Sequence, residues 1–430
     1  MTARPTSRVA AISLLSCATL GLAACGSGQT DGTPARNGGG SVIRAEAACD
    51  VKGVKAPLRR TVILVDAKAL HKSDNGLTFA ERNTAFRDLI LSIADPAAAL
   101  PAGTSAAREQ IVIAVVPADG SAARTAFVGC IPGMSPRELA AAQQRESGVS
   151  SMFSSGVARS LEEQATNFRT QLIGGMVAAA SQGAAATDSQ SGTVDAAPFL
   201  AGVRASKGLF DDDGRAQRIV LFSDLSGVDL PAGDPASIRK AGIEAGRKAG
   251  ADLSQADIHV VLPSGKSIGG KDFFDAYWLA QGARLLSYAP DKLANVAAPP
   301  VRLWRFAGQA AYPSGPELVD IRIGEDGKGK LTASWLTLLG TPSFAVPMTG
   351  SIVCSGDECA IQSDKGGFAQ AWSEAPGGEP EFRNDLPFGG MRNFALKIAG
   401  DRISGQASDE GVYIGADHSR QGIAITGKTR

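Results

Sequence analysis

Between about residues 58 and 290, short apolar runs alternate with stretches in which apolar residues recur at helical spacing. The runs at 61–65 and 110–116 are almost continuously apolar, which is typical of strands buried on both faces. Strands of this kind that alternate with helices predict a doubly wound, mainly parallel α/β sheet. Further strands are predicted at 124–130, 219–222 and 258–262, and helices at 79–93, 136–183 (interrupted near 148–156), 195–208, 236–249 and 273–286.

The pattern changes near residues 295–301, after which the helical spacing disappears. Val319, Ile321 and Ile323 alternate with polar residues, and a turn-forming segment follows at 325–329. An antiparallel β module, either a sandwich or a small barrel, is therefore predicted to follow the α/β domain. The α/β domain is assigned to 58–294 and the β module to 301–430, with further alternating runs at 331–338, 351–363, 394–404 and 411–426.

The first 24 residues have the layout of a secretory signal peptide. Arg4 and Arg8 precede an apolar stretch that is too short to span a bilayer as a helix. The stretch ends in Leu-Ala-Ala-Cys at 22–25, which resembles the lipobox of bacterial lipoproteins. The resemblance implies cleavage before Cys25 and lipid on this cysteine, and an ordinary soluble signal peptide is the alternative. Gly26 stands where an aspartate would favour the inner membrane, so the periplasmic face of the outer membrane is expected in a Gram-negative cell.

Residues 26–41 are rich in Gly, Ser, Thr, Asn and Gln and show no apolar period. This composition predicts a polar tether, and the segment 25–57 is assigned as the lipidated connection between anchor and fold. Cleavage of the signal removes two arginines and no acid, which leaves 41 basic and 43 acidic side chains. The absence of a basic surplus argues against a nucleic-acid partner.

Six cysteines become four when one leaves with the signal and Cys25 carries lipid. An even number in an oxidising compartment indicates two disulfides. Cys354 and Cys359 flank a turn-like tetrapeptide, which predicts a bridge across a hairpin and leaves Cys49 with Cys130 by elimination. Zinc is the alternative, but none of the three histidines lies near a cysteine pair.

Three segments of the first domain resemble the von Willebrand factor A family. They are Thr-Val-Ile-Leu-Val-Asp at 61–66, Ser-Gly-Thr-Val-Asp at 191–195 and Arg-Ile-Val-Leu-Phe-Ser-Asp at 218–224. The likeness extends over roughly residues 58–290 and implies a fold used mainly for protein association. It also implies a divalent cation over the sheet, held by an Asp-x-Ser-x-Ser loop, a later threonine and an aspartate after a central strand.

Asp66, Thr193 and Asp224 match that ligand set, but Lys68 and Leu70 replace the two serines. A hard divalent cation needs more oxygen ligands than these residues supply, and the Lys68 ammonium can pair with Asp66 or Asp224 instead. We therefore expect no cofactor and a metal-free rim of Asp66, Lys68, Thr193 and Asp224 that binds a partner. The alternatives are a metal held by Asp66, Thr193 and Asp224, and carboxylates that only cap loops.

Gly-Lys-Ser-Ile-Gly at 265–269 matches the Gly-x-Ser-x-Gly nucleophile elbow and lies between a predicted strand and a predicted helix. A serine hydrolase using Ser267 needs a histidine later in the sequence, and His418 is the only histidine that follows Ser267. Because His418 belongs to the β module, lies near the carboxyl terminus and has no neighbours specific to the elbow motif, catalysis by Ser267 is an alternative and not the main prediction.

Trp304, Trp335 and Trp372 belong to the β module, whereas Trp278 lies in a predicted helix. Aromatic rings on a β surface can form a platform for a glycan or another small ligand, and packing in the core is the other interpretation. The sequence thus predicts a lipid-anchored, non-catalytic envelope adapter that binds a protein partner. A serine hydrolase and a glycan-binding or small-ligand-binding lipoprotein are the alternatives.

Overall fold

A computed structural model shows a mixed, mostly parallel sheet with helices, followed by a closed antiparallel barrel. The α/β fold class is confirmed, and a barrel forms where a sandwich or a barrel was predicted. The structure describes residues 42–46, 49, 58–71, 79–96, 105–134, 138, 140–142, 144, 156–187, 197–211, 213–225, 228, 230–253, 255–263, 270–290, 293, 296–312, 315–339, 344–368, 373–374, 380–381, 393–408 and 422–430.

Seven strands form the sheet in the order β1-β4-β3-β2-β5-β6-β7. Strand β4 is antiparallel to β3, and every other neighbouring pair in this sheet is parallel. The strand order reverses direction between β2 and β5, which makes this pair the topological switch point where doubly wound sheets bind ligands. The strands are β1 (Ile43–Ala45), β2 (Arg59–Asp66), β3 (Gln110–Val116), β4 (Arg124–Cys130), β5 (Ala216–Phe222), β6 (Asp257–Leu262) and β7 (Arg284–Pro290).

Helices cover both faces of the sheet because the strands are apolar on both sides. In β2, Ile63 and Val65 belong to one core cluster and Val62 and Leu64 to the other. The first cluster contains side chains of α1 to α3 and the second contains side chains of α4 to α6. No helix among the described residues is long and apolar enough to cross a membrane. The helices are α1 (Ala67–His71), α2 (Phe79–Ala94), α3 (Val157–Thr187), α4 (Ala197–Ala205), α5 (Pro235–Ala249) and α6 (Lys271–Leu279), with a 3-10 turn at Lys207–Leu209.

The predicted helix at 273–286 is wrong in its second half. Helix α6 ends at Leu279, and Gly282 adopts a left-handed φ of 74° that directs the chain back toward the sheet. The main-chain N–H of Ala283 donates to the carbonyl of Trp278 at 3.0 Å, and β7 begins one residue later.

The prediction of a tether over the whole segment 25–57 is wrong at Ile43–Ala45. These residues form strand β1 and pair with β4.

Helices α5 and α6 pack closely because α5 presents glycine at the contact. A Cβ atom on Gly242 would lie 2.4 Å from the carbonyl oxygen of Phe273. We expect Gly242→Ala to lower the free energy of unfolding by about 1–3 kcal/mol, since the helices must move apart and overpacking outweighs the gain in helix propensity.

Chemical denaturation followed by circular dichroism measures this loss. Gly208→Ala is the matched control, because a Cβ atom there would meet nothing within 4 Å. A loss for Gly242→Ala no larger than the loss for Gly208→Ala would contradict the tight contact.

Eight antiparallel strands close the barrel in the order β10-β11-β12-β15-β16-β17-β8-β9. The run predicted at 394–404 is two strands joined by a turn at Gly400, and the run at 351–363 is likewise a hairpin. The strands are β8 (Arg302–Tyr312), β9 (Gly315–Glu325), β10 (Ser334–Leu338), β11 (Phe344–Ser355), β12 (Glu358–Phe368), β13 (Ser373–Glu374), β14 (Pro380–Glu381), β15 (Asn393–Ala399), β16 (Arg402–Ser408) and β17 (Gly422–Thr429), of which β13 and β14 form a separate hairpin.

Apolar side chains from every barrel strand meet in a single core cluster. In β9 the predicted alternation holds, because Val319, Ile321 and Ile323 point to this core. The intervening Asp320 and Arg322 point away from the core and are buried nevertheless, at 8% and 2% exposure. Another part of the protein therefore covers the outer surface of β9.

Both predicted disulfides are present. Cys49 is bonded to Cys130 at the end of β4, and Cys354 is bonded to Cys359 across the β11–β12 hairpin. The first bridge joins segments 81 residues apart, so it fixes the chain that follows β1 to the sheet.

Candidate functional site

The two carboxylates predicted for the rim meet at the switch point of the sheet. Asp66 is the last residue of β2, and Ser223 and Asp224 directly follow the neighbouring strand β5. Because β2 and β5 are parallel and in register at Val65 and Phe222, their carboxyl ends lie side by side. The Ser223 hydroxyl donates a hydrogen bond to Asp66 Oδ2 at 2.8 Å, which joins the two strand ends directly.

Donors of the protein occupy both oxygens of Asp66. The main-chain N–H of Lys68 donates to Oδ1 at 2.9 Å, while Ser223 donates to Oδ2. Burial raises the pKa of Asp66 and the nearby charge of Asp224 adds to this, whereas both hydrogen bonds and the charge of Lys68 lower it. Burial prevails, so the pKa lies above its ordinary value.

The turn after β5 holds Asp224 in a fixed position. Leu225 has a φ of 47°, a left-handed conformation that is costly for a branched side chain. Its side chain is fully buried in the core, and its N–H donates to the Ser223 hydroxyl at 3.1 Å. Core packing and this hydrogen bond together keep the chain in this conformation directly after Asp224.

Tyr288 of β7 belongs to the same carboxyl edge of the sheet. Burial raises its pKa to about 12, and the negative charge of Asp224 contributes in the same direction. The phenol is therefore a neutral hydrogen-bond donor at physiological pH. Sequence reasoning missed Tyr288 because a helix was predicted up to residue 286 and no strand was predicted at 284–290.

The positions that replace the two serines of the family motif have different surroundings. Leu70 is fully buried and belongs to the core cluster under α1 to α3, so its position supplies no ligand to the rim. Lys68 is partly exposed in α1, and its charge lowers the pKa of Asp66. Among the described residues, no group of three or more His, Cys, Asp or Glu side chains has an arrangement that could hold a metal ion.

Several residues singled out in the sequence lie outside the described part of the chain. They are the lipidation candidate, the threonine of the rim, the serine and histidine of the hydrolase alternative and one tryptophan of the β module: Cys25, Thr193, Ser267, His418 and Trp372.

We expect Asp66→Asn to change the pH dependence of stability. Because folding raises the pKa of Asp66, the parent protein loses stability as the pH rises through that pKa, whereas an amide does not ionise. The free energy of unfolding of Asp66→Asn, relative to that of the parent, should therefore increase as the pH rises above 3.8, the ordinary pKa of this carboxyl group. Urea unfolding at a series of pH values from 3.8 upward measures the change.

Asp119→Asn is the control for this experiment. A hydrogen bond from the main chain of Ser121 lowers the pKa of the exposed Asp119, so its contribution is lost only at more acidic pH. If the stability difference caused by Asp66→Asn stays constant over the same range, Asp66 does not have a raised pKa.

A second polar cluster is buried at the opposite, amino edge of the sheet. Glu109 precedes β3 and is fully buried. Its carboxylate accepts hydrogen bonds from Arg59 Nη2 at 2.8 Å, from Arg218 Nη2 at 2.9 Å and from the main-chain N–H of Ala106 at 2.9 Å. The hydroxyl of Thr61 donates to the same carboxylate and accepts from Arg218 Nε at 2.7 Å. We call Glu109, Arg59, Thr61 and Arg218 the amino-edge cluster.

Mutual charge compensation sets the pKa values in the amino-edge cluster. Burial alone raises the pKa of Glu109, but the charges of Arg218 and Arg59 outweigh burial and lower it to about 2. Burial and the charge of Arg59 lower the pKa of Arg218 to about 10, against the opposing charges of Glu109 and Asp257. Glu109 and Arg218 are therefore ionised and paired at neutral pH, which is typical of a structural ion network.

The amino-edge cluster lies next to the contact between sheet and barrel. Arg59 Nη1 donates to the carbonyl of Ala297 at 3.1 Å, and Ala297 lies in the segment that joins the sheet to the barrel. Arg322, on the outer surface of β9, donates to the carbonyl of Gln255, and the Gln255 side chain donates to the hydroxyl of Thr337. These contacts cover the outward side chain of Arg322 and fix the barrel to the amino edge of the sheet. The outward Asp320 is paired instead with Arg305 and Arg430, which follow the sheet in the chain.

The described tryptophans mostly pack in the interior. Trp335 is fully buried where the barrel meets the sheet, with the guanidinium of Arg284 from β7 at 5.7 Å from its ring centre. Trp278 is 1% exposed in α6. Trp304 is partly buried, and Arg302 lies over its ring at 5.2 Å. Trp278 and Trp335 therefore do not form an exposed platform for a glycan.

The chain matches no protein-family model and no curated protein sequence. Its function is therefore inferred from its own residues.

Proposed function

We propose that this protein is a lipid-anchored lipoprotein of the bacterial envelope that binds a partner protein and catalyses no reaction. The observation that carries the proposal is that Asp66, Lys68 and Asp224 of the predicted rim lie together at the switch point, at the carboxyl edge of the sheet, where Ser223 joins the two strand ends. Ligands of doubly wound sheets bind at this position.

The pairing of the cysteines supports export and anchoring. Cys49, Cys130, Cys354 and Cys359 form two disulfides, which fits an oxidising compartment outside the cytoplasm. Cys25, at the end of the lipobox-like sequence, is then the only cysteine of the mature chain that remains for lipid. Several acyl chains together hold a protein stably on a membrane.

The domain is proposed to be a von Willebrand factor A-like domain whose cation site is lost. The switch-point position of Asp66 and Asp224 supports the likeness. The residues present do not fit the cation, because Lys68 and Leu70 carry no side-chain oxygen and Leu70 is buried in the core. A divalent cation needs several oxygen ligands, and of the residues at 66, 68 and 70 only Asp66 supplies one.

The same geometry supports binding and not catalysis. Ser223 donates to Asp66 and accepts from Leu225, so its hydroxyl is held by structural hydrogen bonds. Asp66 is buried, whereas Lys68 is partly exposed. A partner surface with a carboxylate near Lys68 would complement the positive charge of this side chain.

Capture of partners from the envelope tests the proposal. The full-length protein is purified from detergent-solubilised membranes after brief crosslinking, in its parent form and as Lys68→Glu, with Lys207→Glu as a control on an exposed lysine of the 3-10 turn. A protein that copurifies with the parent and with Lys207→Glu, and is lost with Lys68→Glu, supports a binding rim. Equal capture by all three forms contradicts it.

Two further measurements test the other parts of the proposal. The mass of the amino-terminal peptide should equal that of an acylated Cys25 peptide, and an unmodified peptide would contradict lipid anchoring. Elemental analysis of the purified protein should find no stoichiometric magnesium or calcium, because one such ion per chain would require a cation site at the rim.

A further inference from the structure

Helix α3 presents a surface without charge. From Thr170 to Thr187 the helix contains no acidic or basic residue, a length of about 27 Å at helical rise. One side of this segment packs into the core through Leu172 and neighbouring side chains. On the other side Ile173 is 52% exposed and Val177 is 61% exposed.

Uncharged polar residues border the two apolar side chains. Thr170 and Ser181 are exposed on the same side of α3, and both hydroxyls donate to carbonyls one turn earlier in the helix. A surface in which Ile173 and Val177 lie between such residues loses no ionic hydration when it leaves water. We call Thr170, Ile173, Val177 and Ser181 the uncharged face of α3.

The chain enters the folded part next to this helix. Strand β1 begins at Ile43, and a Cβ atom on Gly174 would lie 4.0 Å from Ile43 Cγ1. Cys25 lies 18 residues before Ile43. At no more than about 3.5 Å per residue, the covalent chain limits the distance between Cys25 and Ile43 to roughly 60 Å. An anchor at Cys25 therefore leaves the uncharged face of α3 within reach of the membrane.

We propose that the uncharged face of α3 rests on the lipid bilayer into which the acyl chains on Cys25 insert. This inference depends on the proposed lipid anchoring of Cys25. Two apolar side chains bind a bilayer too weakly to hold a protein by themselves. A tether of 18 residues changes this balance, because it converts membrane contact into an intramolecular event at high effective concentration.

Membrane contact through α3 would also place the rim close to the membrane surface. The carboxyl end of α3 packs against α1, where His71 contacts the carbonyl of Ala180 at 3.0 Å, and α1 directly follows Asp66. The rim thus lies beside the membrane-contacting helix. A partner that binds the rim would then be one that is itself close to the membrane surface.

Quenching of a fluorophore by lipid tests the orientation. Val177→Cys is labelled with an environment-sensitive fluorophore in the full-length, lipidated protein and reconstituted into phosphatidylethanolamine–phosphatidylglycerol vesicles that contain a nitroxide-labelled lipid. Val353→Cys is the matched control, because Val353 is a valine of the barrel hairpin that is 71% exposed. The four native cysteines of the folded part are in disulfides, so the introduced thiol is the one labelled.

We expect quenching at position 177 to exceed quenching at position 353 by about threefold or more, as for a side chain in the headgroup region. Equal quenching at the two positions, with lipid found on Cys25 by mass spectrometry, would overturn the membrane contact and leave the anchoring proposal intact. A blue-shifted emission at 177 without lipid quenching would also overturn it, in favour of contact with a protein or a second copy of this chain. Absence of lipid on Cys25 would overturn both proposals.

Discussion

Replacement of Glu109 by glutamine is expected to lower the free energy of unfolding by about 3–5 kcal/mol, the usual effect of breaking a buried ion pair by changing one partner. Glutamine keeps the shape of the side chain but removes the charge that compensates Arg59 and Arg218. These two arginines are 4% and 2% exposed, so neither can regain its hydration in the folded state. The amide group would also place N–H donors against donors of the guanidinium groups.

Stability should also depend on pH in a way that identifies Glu109. The pKa of Glu109 falls from 4.5 to about 2 on folding, so its contribution is complete above 4.5 and is lost as the pH falls through about 2. The difference in free energy of unfolding between the parent protein and Glu109→Gln should therefore become smaller as the pH falls through this acidic range. A constant difference between them down to pH of about 2 would contradict the pairing.

Guanidinium chloride unfolding at neutral pH measures the main effect. Glu163→Gln is the control, since Glu163 pairs with Arg159 on the surface of α3, where the side chains are 66% and 72% exposed. An exposed pair of this type contributes about 0.5 kcal/mol or less. If Glu109→Gln lowered the free energy of unfolding by no more than Glu163→Gln does, the amino-edge cluster would not stabilise the fold.

The amino-edge cluster also shows where sequence reasoning ends. Arg59, Thr61 and Arg218 lie at or near the beginnings of apolar strands, which predicted the strands correctly. Their common partner Glu109 is 50 residues from Arg59 and 109 residues from Arg218 along the chain. No local pattern links such distant positions, and the pairing follows only from the order of strands in the sheet.

The positions of Asp66 and Asp224 could be predicted from the sequence, unlike the pairing in the amino-edge cluster. Asp66 and Asp224 both follow apolar runs, and the carboxyl ends of adjacent parallel strands must meet at one edge of the sheet. The role of Ser223 as the donor to Asp66 was not predicted, nor was the left-handed conformation of Leu225. Both depend on the shape of a single turn, which the spacing of apolar residues does not determine.

Replacement of Trp335 by alanine is expected to lower the free energy of unfolding by about 3–5 kcal/mol, the range for a large aromatic side chain removed from a packed interior. Trp335 lies opposite Arg322 in the barrel and under Arg284 of the sheet. Its removal opens a cavity between the two parts and withdraws the ring from the guanidinium of Arg284, which remains paired with Asp257. The barrel and the sheet should then unfold less cooperatively.

Denaturant unfolding followed by near-ultraviolet circular dichroism measures the loss, and limited proteolysis of the segment 296–301 reports the loosened contact. Leu318→Ala is the control, because Leu318 lies on the same strand as Arg322 but is 58% exposed, and exposed substitutions usually change stability by about 0.5 kcal/mol or less. A binding platform would behave in the opposite way, with ligand binding lost and stability kept. Retained stability in Trp335→Ala would therefore argue against a packed contact and return Trp335 to the candidates for a glycan surface.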